Sequence, residues 1–106
     1  MNALAFLCAG IASWFVPNAP YSNGDWCAMN VAPPGTRVLI VNADNRREAT
    51  CTILGSGPFV SGRVLDVAPS VAKRLGFYSA GLAHVRVYRV IHVRAHRTNV
   101  KLWSHP

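Results

Sequence analysis

The chain has 106 residues, 51% of them apolar, which bounds it to one small domain with a single core. Its formal charge of +7 is confined to one end: residues 1–66 balance four cations against four acids, whereas residues 67–106 carry seven cations and no acid. That asymmetry favours a polyanionic or acidic partner, while the three cysteines are too few and too irregular for a disulfide framework or a structural zinc site.

The opening stretch MNALAFLCAG has no basic residue ahead of its short apolar run, and Leu7-Cys8 lacks the small residue a lipid-anchor site places before its cysteine. With Met1 present, a chain not exported by a cleaved signal is expected, with residues 1–10 as an apolar lead. No segment approaches the roughly 18–20 apolar residues of a membrane span. Cys8 and Cys51 lie in apolar runs and read as buried free thiols; a Cys27–Cys51 bridge stays open.

Beyond the lead, period-two alternation dominates and predicts β structure. IASWF at 11–15 is a first short strand. Residues 16–35 form a long loop punctuated by Pro17, Pro20, Asn23-Gly24, Pro33 and Pro34. TRVLIV at 36–41 and EATCTIL at 48–54, joined through NADNR, predict a hairpin. A Gly- and Pro-rich loop leads to a strand at 63–67. PSVAKRL at 69–75 is the one convincing helix, with proline in its first turn and Gly76 to close it. From Ala83 a long strand turns Val85, Val87, Ile91, Val93 and Ala95 to one face, interrupted by Arg89. Its other face carries His84, Arg86, Tyr88, Val90, His92, Arg94 and His96. That length exceeds the usual 5–6 or so residues, so the strand is expected to bend or leave a small barrel.

Several sites can be set aside. Gly55-Ser56-Gly57 is no phosphate loop, because no Gly-Lys-Ser/Thr follows and the next element is a strand. His92 and His96, four apart on an extended strand, stand roughly 13 Å apart, so no metal or cofactor is expected. No nucleic-acid motif accompanies the basic strand, which argues against such a partner.

Five segments, GIASWF (10–15), PPGTRVLIVN (33–42), DNRREATCTI (44–53), GPFVSGRVLDVAPSVAKRLGF (57–77) and GLAHVRVYRV (81–90), cover about four-fifths of the chain. In their order and spacing the sequence resembles the rare lipoprotein A family, related to expansins and barwin-like proteins. The resemblance implies a mainly β fold: a small six-stranded double-psi β-barrel with one short helix, here spanning 11–90 before a basic extension at 91–106. It also implies a glycan-directed role, since the family's enzymes are lytic transglycosylases that cleave peptidoglycan strands without water.

The family's Asp lies in an Asn-Asp-Arg-Gly-Pro-Phe stretch; here Leu54-Gly55-Ser56-Gly57-Pro58-Phe59 puts Gly55 in its place. Its His lies in an Ala-Ala-His stretch; Cys27-Ala28-Met29 substitutes Met29. Neither side chain has a proton to give, and a general acid or base contributes a factor of about 100 to 10,000, which argues against the inherited reaction. Gly35, Gly57, Pro58, Asp66 and Gly76 read as fold residues, with Asp66 accepting backbone or arginine hydrogen bonds ahead of the helix.

Aromatic rings stack on sugars, and the candidates are Phe15, Tyr21, Trp26, Phe59 and Tyr78, with loop residue Trp26 foremost. Arg86, Tyr88, His92, Arg94, His96, Leu102 and Trp103 are candidates for docking another subunit through the extension. The first reading is a non-catalytic barrel, a structural or adaptor subunit of a larger assembly such as a phage virion's tail or neck, with cell-wall glycan or another anionic wall polymer as a further ligand. The alternatives are a peptidoglycan-binding module or a divergent lytic transglycosylase of a bacterial envelope.

Overall fold

A computed structural model describes residues 2–16 and 24–92, together with the backbone of residues 102–103. Among these residues the elements run β1 (Asn2–Trp14), β2 (Trp26–Ala28), β3 (Arg37–Asn42), β4 (Glu48–Gly55), β5 (Arg63–Val67), α1 (Pro69–Leu75), β6 (Leu82–His92) and β7 (Leu102–Trp103). The sheet order is β5-β2-β4-β3-β6-β1-β7, and a parallel pairing of β1 with β5 closes the first six strands into a barrel. A second parallel pair, β2 with β4, lies two strands away. This is the mainly β, six-stranded barrel with one short helix that the family resemblance implies.

Alternation explains the core. Val38 and Ile40 of β3, Cys51 and Ile53 of β4, Leu65 and Val67 of β5, and Val85 and Val87 of β6 all point inward and are buried. Val71, Ala72 and Leu75 of α1 close the same cluster. Each fully buried aliphatic side chain contributes roughly 1.5–3 kcal/mol relative to exposure. The alternation of β6 stops after Val87, and Ile91 is 36% exposed, so the strand runs past the barrel as its length implies.

The hairpin and helix support one another. The amide Nδ2 groups of Asn42 and Asn45, in and after the end of β3, each donate a 2.9 Å hydrogen bond to the Leu75 carbonyl. That carbonyl is one of those left orphaned at a helix C-terminus. Gly76 ends the helix in the left-handed conformation at φ 78°, and a Cβ there would meet Asn45 Nδ2 at 2.7 Å.

Four expectations change. The first strand begins at Asn2 rather than Ile11: the presumed lead pairs with β6 and, at Asn2 and Ala3, with β7. It was hidden because its small and apolar residues alternate poorly. Within the long 16–35 loop, Trp26–Ala28 form a strand between β4 and β5, so Trp26 is a strand residue. Three residues are too few for periodicity to register. Cys51 is no free thiol: it forms a disulfide with Cys27, Cα to Cα 6.0 Å, inside the barrel. Asp66, expected to accept backbone or arginine hydrogen bonds, accepts one from the Ser13 hydroxyl instead, and the helix N-cap is Ala68, without a side-chain hydrogen bond.

Candidate functional site

The strand registers bring four residues into one cross-strand row. Ser13 of β1 lies opposite Asp66 of β5, Asp66 opposite Ala28 of β2, and Ala28 opposite Gly55 of β4. Leu65 and Val67 point into the core, so Asp66 points out of it. The Ser13 hydroxyl, on a residue only 8% exposed, donates to Asp66 Oδ1 and orients the carboxylate. The other acids lie elsewhere: Asp25 pairs with Arg74, Asp44 faces His84 at 3.6 Å, and Glu48 is exposed at the start of β4. The row is therefore a floor of small residues carrying a single carboxylate, over which an extended polymer can approach the backbone.

Met29 and Gly55, which the resemblance sets, as an expectation, at the family's catalytic positions, are neighbours: the Met29 N–H donates to the Gly55 carbonyl at 3.1 Å. Their environments differ. Met29 is 1% exposed, its side chain within the core cluster. Gly55 has open space beside it, for a Cβ there would meet nothing within 4 Å. Two strand spacings separate Gly55 from Asp66, roughly 10 Å. Hydrolytic glycosidases use two carboxylates roughly 5 to 9.5 Å apart, whereas this row holds one.

The aromatic candidates fall around the row. Trp26 is half-buried and shares the outward side of β2 with Ala28, since Cys27 between them points inward. Phe59 is 84% exposed in the β4–β5 loop, beyond the Gly55 end. Phe15 extends β1 past Ser13, its N–H bonded to the Val67 carbonyl at 2.8 Å. Tyr78 is engaged within the chain, stacked on Trp14 with ring centroids 4.6 Å apart and with Lys73 Nζ 4.8 Å from its centroid. Tyr21 lies outside the described residues.

Of the fold residues, Gly35 and Gly57 adopt positive φ and Gly57-Pro58 is a cis peptide. Of the docking candidates, Arg86 donates to the Tyr88 hydroxyl at 3.0 Å and lies over the Phe6 ring, and His92 is exposed at the end of β6. Arg94 and His96 lie outside the described residues. The backbone of Leu102 and Trp103 pairs with β1 of its own chain. The sequence reading missed Ser13 and Asn30, whose roles arise from partners 53 and 27–28 residues away. No helix in the described residues is long and apolar enough to cross a membrane, and they hold no group of three or more metal-ligating side chains.

Comparison with known proteins places this geometry. A probable endolytic peptidoglycan transglycosylase RlpA of Synechocystis is 34% identical over 86 residues, covering 72% of this chain and 27% of that protein. The chain thus spans about a quarter of that relative's length. Among solved structures, an apo expansin of Clavibacter michiganensis superposes with TM-score 0.60 over 90% of this chain and 52% of its own, at 14% identity. A mutant of that expansin, in complex with cellohexaose, gives 0.57 with the same coverage and identity. These two support the double-psi barrel fold. The family model described as lytic transglycolase matches residues 8–87, from β1 through most of β6, and the chain belongs to that family of double-psi β-barrels.

Proposed function

We propose that the chain is a peptidoglycan-directed binding module that holds a glycan strand across the Ser13–Asp66–Ala28–Gly55 row. The observation carrying this reading is the row itself: a shallow floor of small residues, one outward carboxylate oriented by Ser13, and Trp26 on the same side of β2. The carboxylate accepts hydrogen bonds from sugar hydroxyls, and the indole offers a face for a pyranose ring. Relatives named for action on peptidoglycan point to the same ligand class, which would set the chain to work at a bacterial wall. The subunit role in a virion draws no support from fold or relatives, so the glycan-binding alternative takes precedence over it.

Sedimentation with purified insoluble sacculi tests the proposal. The chain is expected to pellet with them, and Trp26→Ala and Asp66→Asn are expected to leave most of it in the supernatant. Equal pelleting of all three, or no pelleting of the wild type, would sink it. A second reading has one observation in its favour, the position of Asp66 in the row. In its protonated form Asp66 would give its proton to the glycosidic oxygen as the C–O bond breaks. A hydroxyl of the same sugar then closes on the anomeric carbon and returns a proton to the carboxylate. Release of anhydro-sugar products that Asp66→Asn abolishes would establish it.

A further inference from the structure

The β4–β5 connection crosses the end of β2, because β2 lies between β4 and β5 in the sheet. Residues 56–62 therefore pass over the point where the chain leaves β2, and Asn30 stands beneath them. Its side chain grips the loop from both sides: Oδ1 accepts the Gly57 N–H at 2.8 Å, and Nδ2 donates to the Pro58 carbonyl at 2.9 Å. One amide thus supplies the donor–acceptor pair that a neighbouring strand would supply. Gly57 and Pro58 are buried by this arrangement, whereas Phe59 directly after them is 84% exposed. The Phe59 ring lies over Gly57, its Cε2 only 3.7 Å from where a Cβ of Gly57 would be. Val31, next to Asn30, and Val60, next to Phe59, are 59% and 55% exposed. A small protein gains nothing in stability by displaying three such side chains on adjoining loops, and contiguous exposed apolar groups mark binding sites.

We infer that Val31, Phe59 and Val60 form a stacking subsite for the apolar face of a pyranose ring, and that Asn30 is the positioning residue that holds Phe59 ready for it. This deepens the glycan-binding reading of the row and rests on it. The row and the subsite are continuous: Gly55 ends the row, and Gly57, against which Phe59 lies, is two residues further on. A sugar whose hydroxyls meet Asp66 has its neighbour in the strand delivered toward Phe59. Because the loop is clamped before ligand arrives, little conformational freedom is lost on binding.

The test titrates chitohexaose, a soluble β-1,4-linked glycan, into the full chain and into Phe59→Ala, Asn30→Ala and the double variant. Sacculi pelleting runs alongside, and amide exchange at Gly57 is followed in the wild type and Asn30→Ala. Phe59→Ala is expected to weaken binding by roughly two- to tenfold, the range for an aromatic contact. Asn30→Ala should weaken it comparably and speed exchange at Gly57. In the Phe59→Ala background, Asn30→Ala should cost no further affinity. Asn30→Asp keeps the acceptor for Gly57 and should recover part of the exchange protection. A wild type that binds while both single variants bind equally well overturns the subsite and leaves the row's role standing. Losses that multiply in the double variant, or Gly57 exchange unchanged by Asn30→Ala, overturn the positioning role. A wild type that binds neither chitohexaose nor sacculi overturns the glycan reading and the subsite together.

Discussion

Gly55 and Met29 show how a residue's identity and its surroundings carry different information. The sequence shows which residues stand at the two positions. Only the folded chain shows that the two positions would respond oppositely to a polar substitution. Gly55→Asp should leave urea stability within about 0.5 kcal/mol of wild type, because its Cβ enters open space and no positive φ is required there. Met29→His should cost about 2 kcal/mol or more, because an imidazole would replace a side chain that is 1% exposed in an apolar core. Equal costs in parallel urea titrations would contradict the environments described. Cys8 makes a second case. Burial pushes its thiol up from the ordinary value, so the neutral form persists to higher pH. Alkylation by iodoacetamide at pH 8 should be slower than for a free cysteine and should accelerate on unfolding. The sign of the linkage follows: the stability tied to this thiol is complete below the unfolded pKa and is lost as pH rises through the raised folded value.

Elements with a strong local period were legible. The hairpin and helix appear within a residue or so of their expected bounds, because β-branched alternation, Pro69 and Gly76 act over a few residues. β2 was not legible. It exists because β4 and β5 flank it on both sides, and Trp26-Cys27-Ala28 alone carry no strand signal. The Cys27–Cys51 disulfide is likewise a consequence of that placement, joining β2 to β4 across a sequence separation of 24. By the chain-entropy account it contributes roughly 2–4 kcal/mol. The chain under a non-thiol reductant, or carrying Cys27→Ala with Cys51→Ala, is therefore expected to unfold at lower urea. Because the bridge pins the strand bearing Trp26 and Ala28, glycan binding should weaken in step. Unchanged stability on verified reduction would show that β2 is held by its backbone pairings alone.

At the scale of the whole molecule, a basic surface and the Ser13–Asp66–Ala28–Gly55 row are two separate means of holding an acidic polymer. Among the described residues, Arg37, Arg63, Arg86 and Arg89 stand on the barrel strands and Lys73 and Arg74 on the helix, all at least partly exposed, so cations lie on several sides of the barrel. Raising salt from about 0.1 M to about 1 M shortens the Debye length from about 10 Å to about 3 Å. Sacculi binding should weaken over that range, while binding of uncharged chitohexaose should hold nearly constant. Salt-insensitive binding to both would assign the affinity to the row and its aromatics. The tail reads differently at this scale too: its Leu102–Trp103 backbone adds a strand to β1 of the same chain, where the sequence suggested a partner's edge.

By itself the sequence determined the mainly β class, the hairpin and the helix. Alternation, capping and residue identity are local properties, written within windows of a dozen residues or fewer. Tertiary structure alone decided that residues 2–10 are strand, that Cys27 meets Cys51, and that Asn30 grips the loop presenting Phe59. It also decided that Ser13, Asp66, Ala28 and Gly55 form one row. Those facts depend on cross-strand register, and register is set only when β1 closes on β5, bringing together residues 53 apart such as Ser13 and Asp66. A carboxylate expected to accept backbone or arginine hydrogen bonds becomes, by that closure, the one charged group of the row, oriented by Ser13.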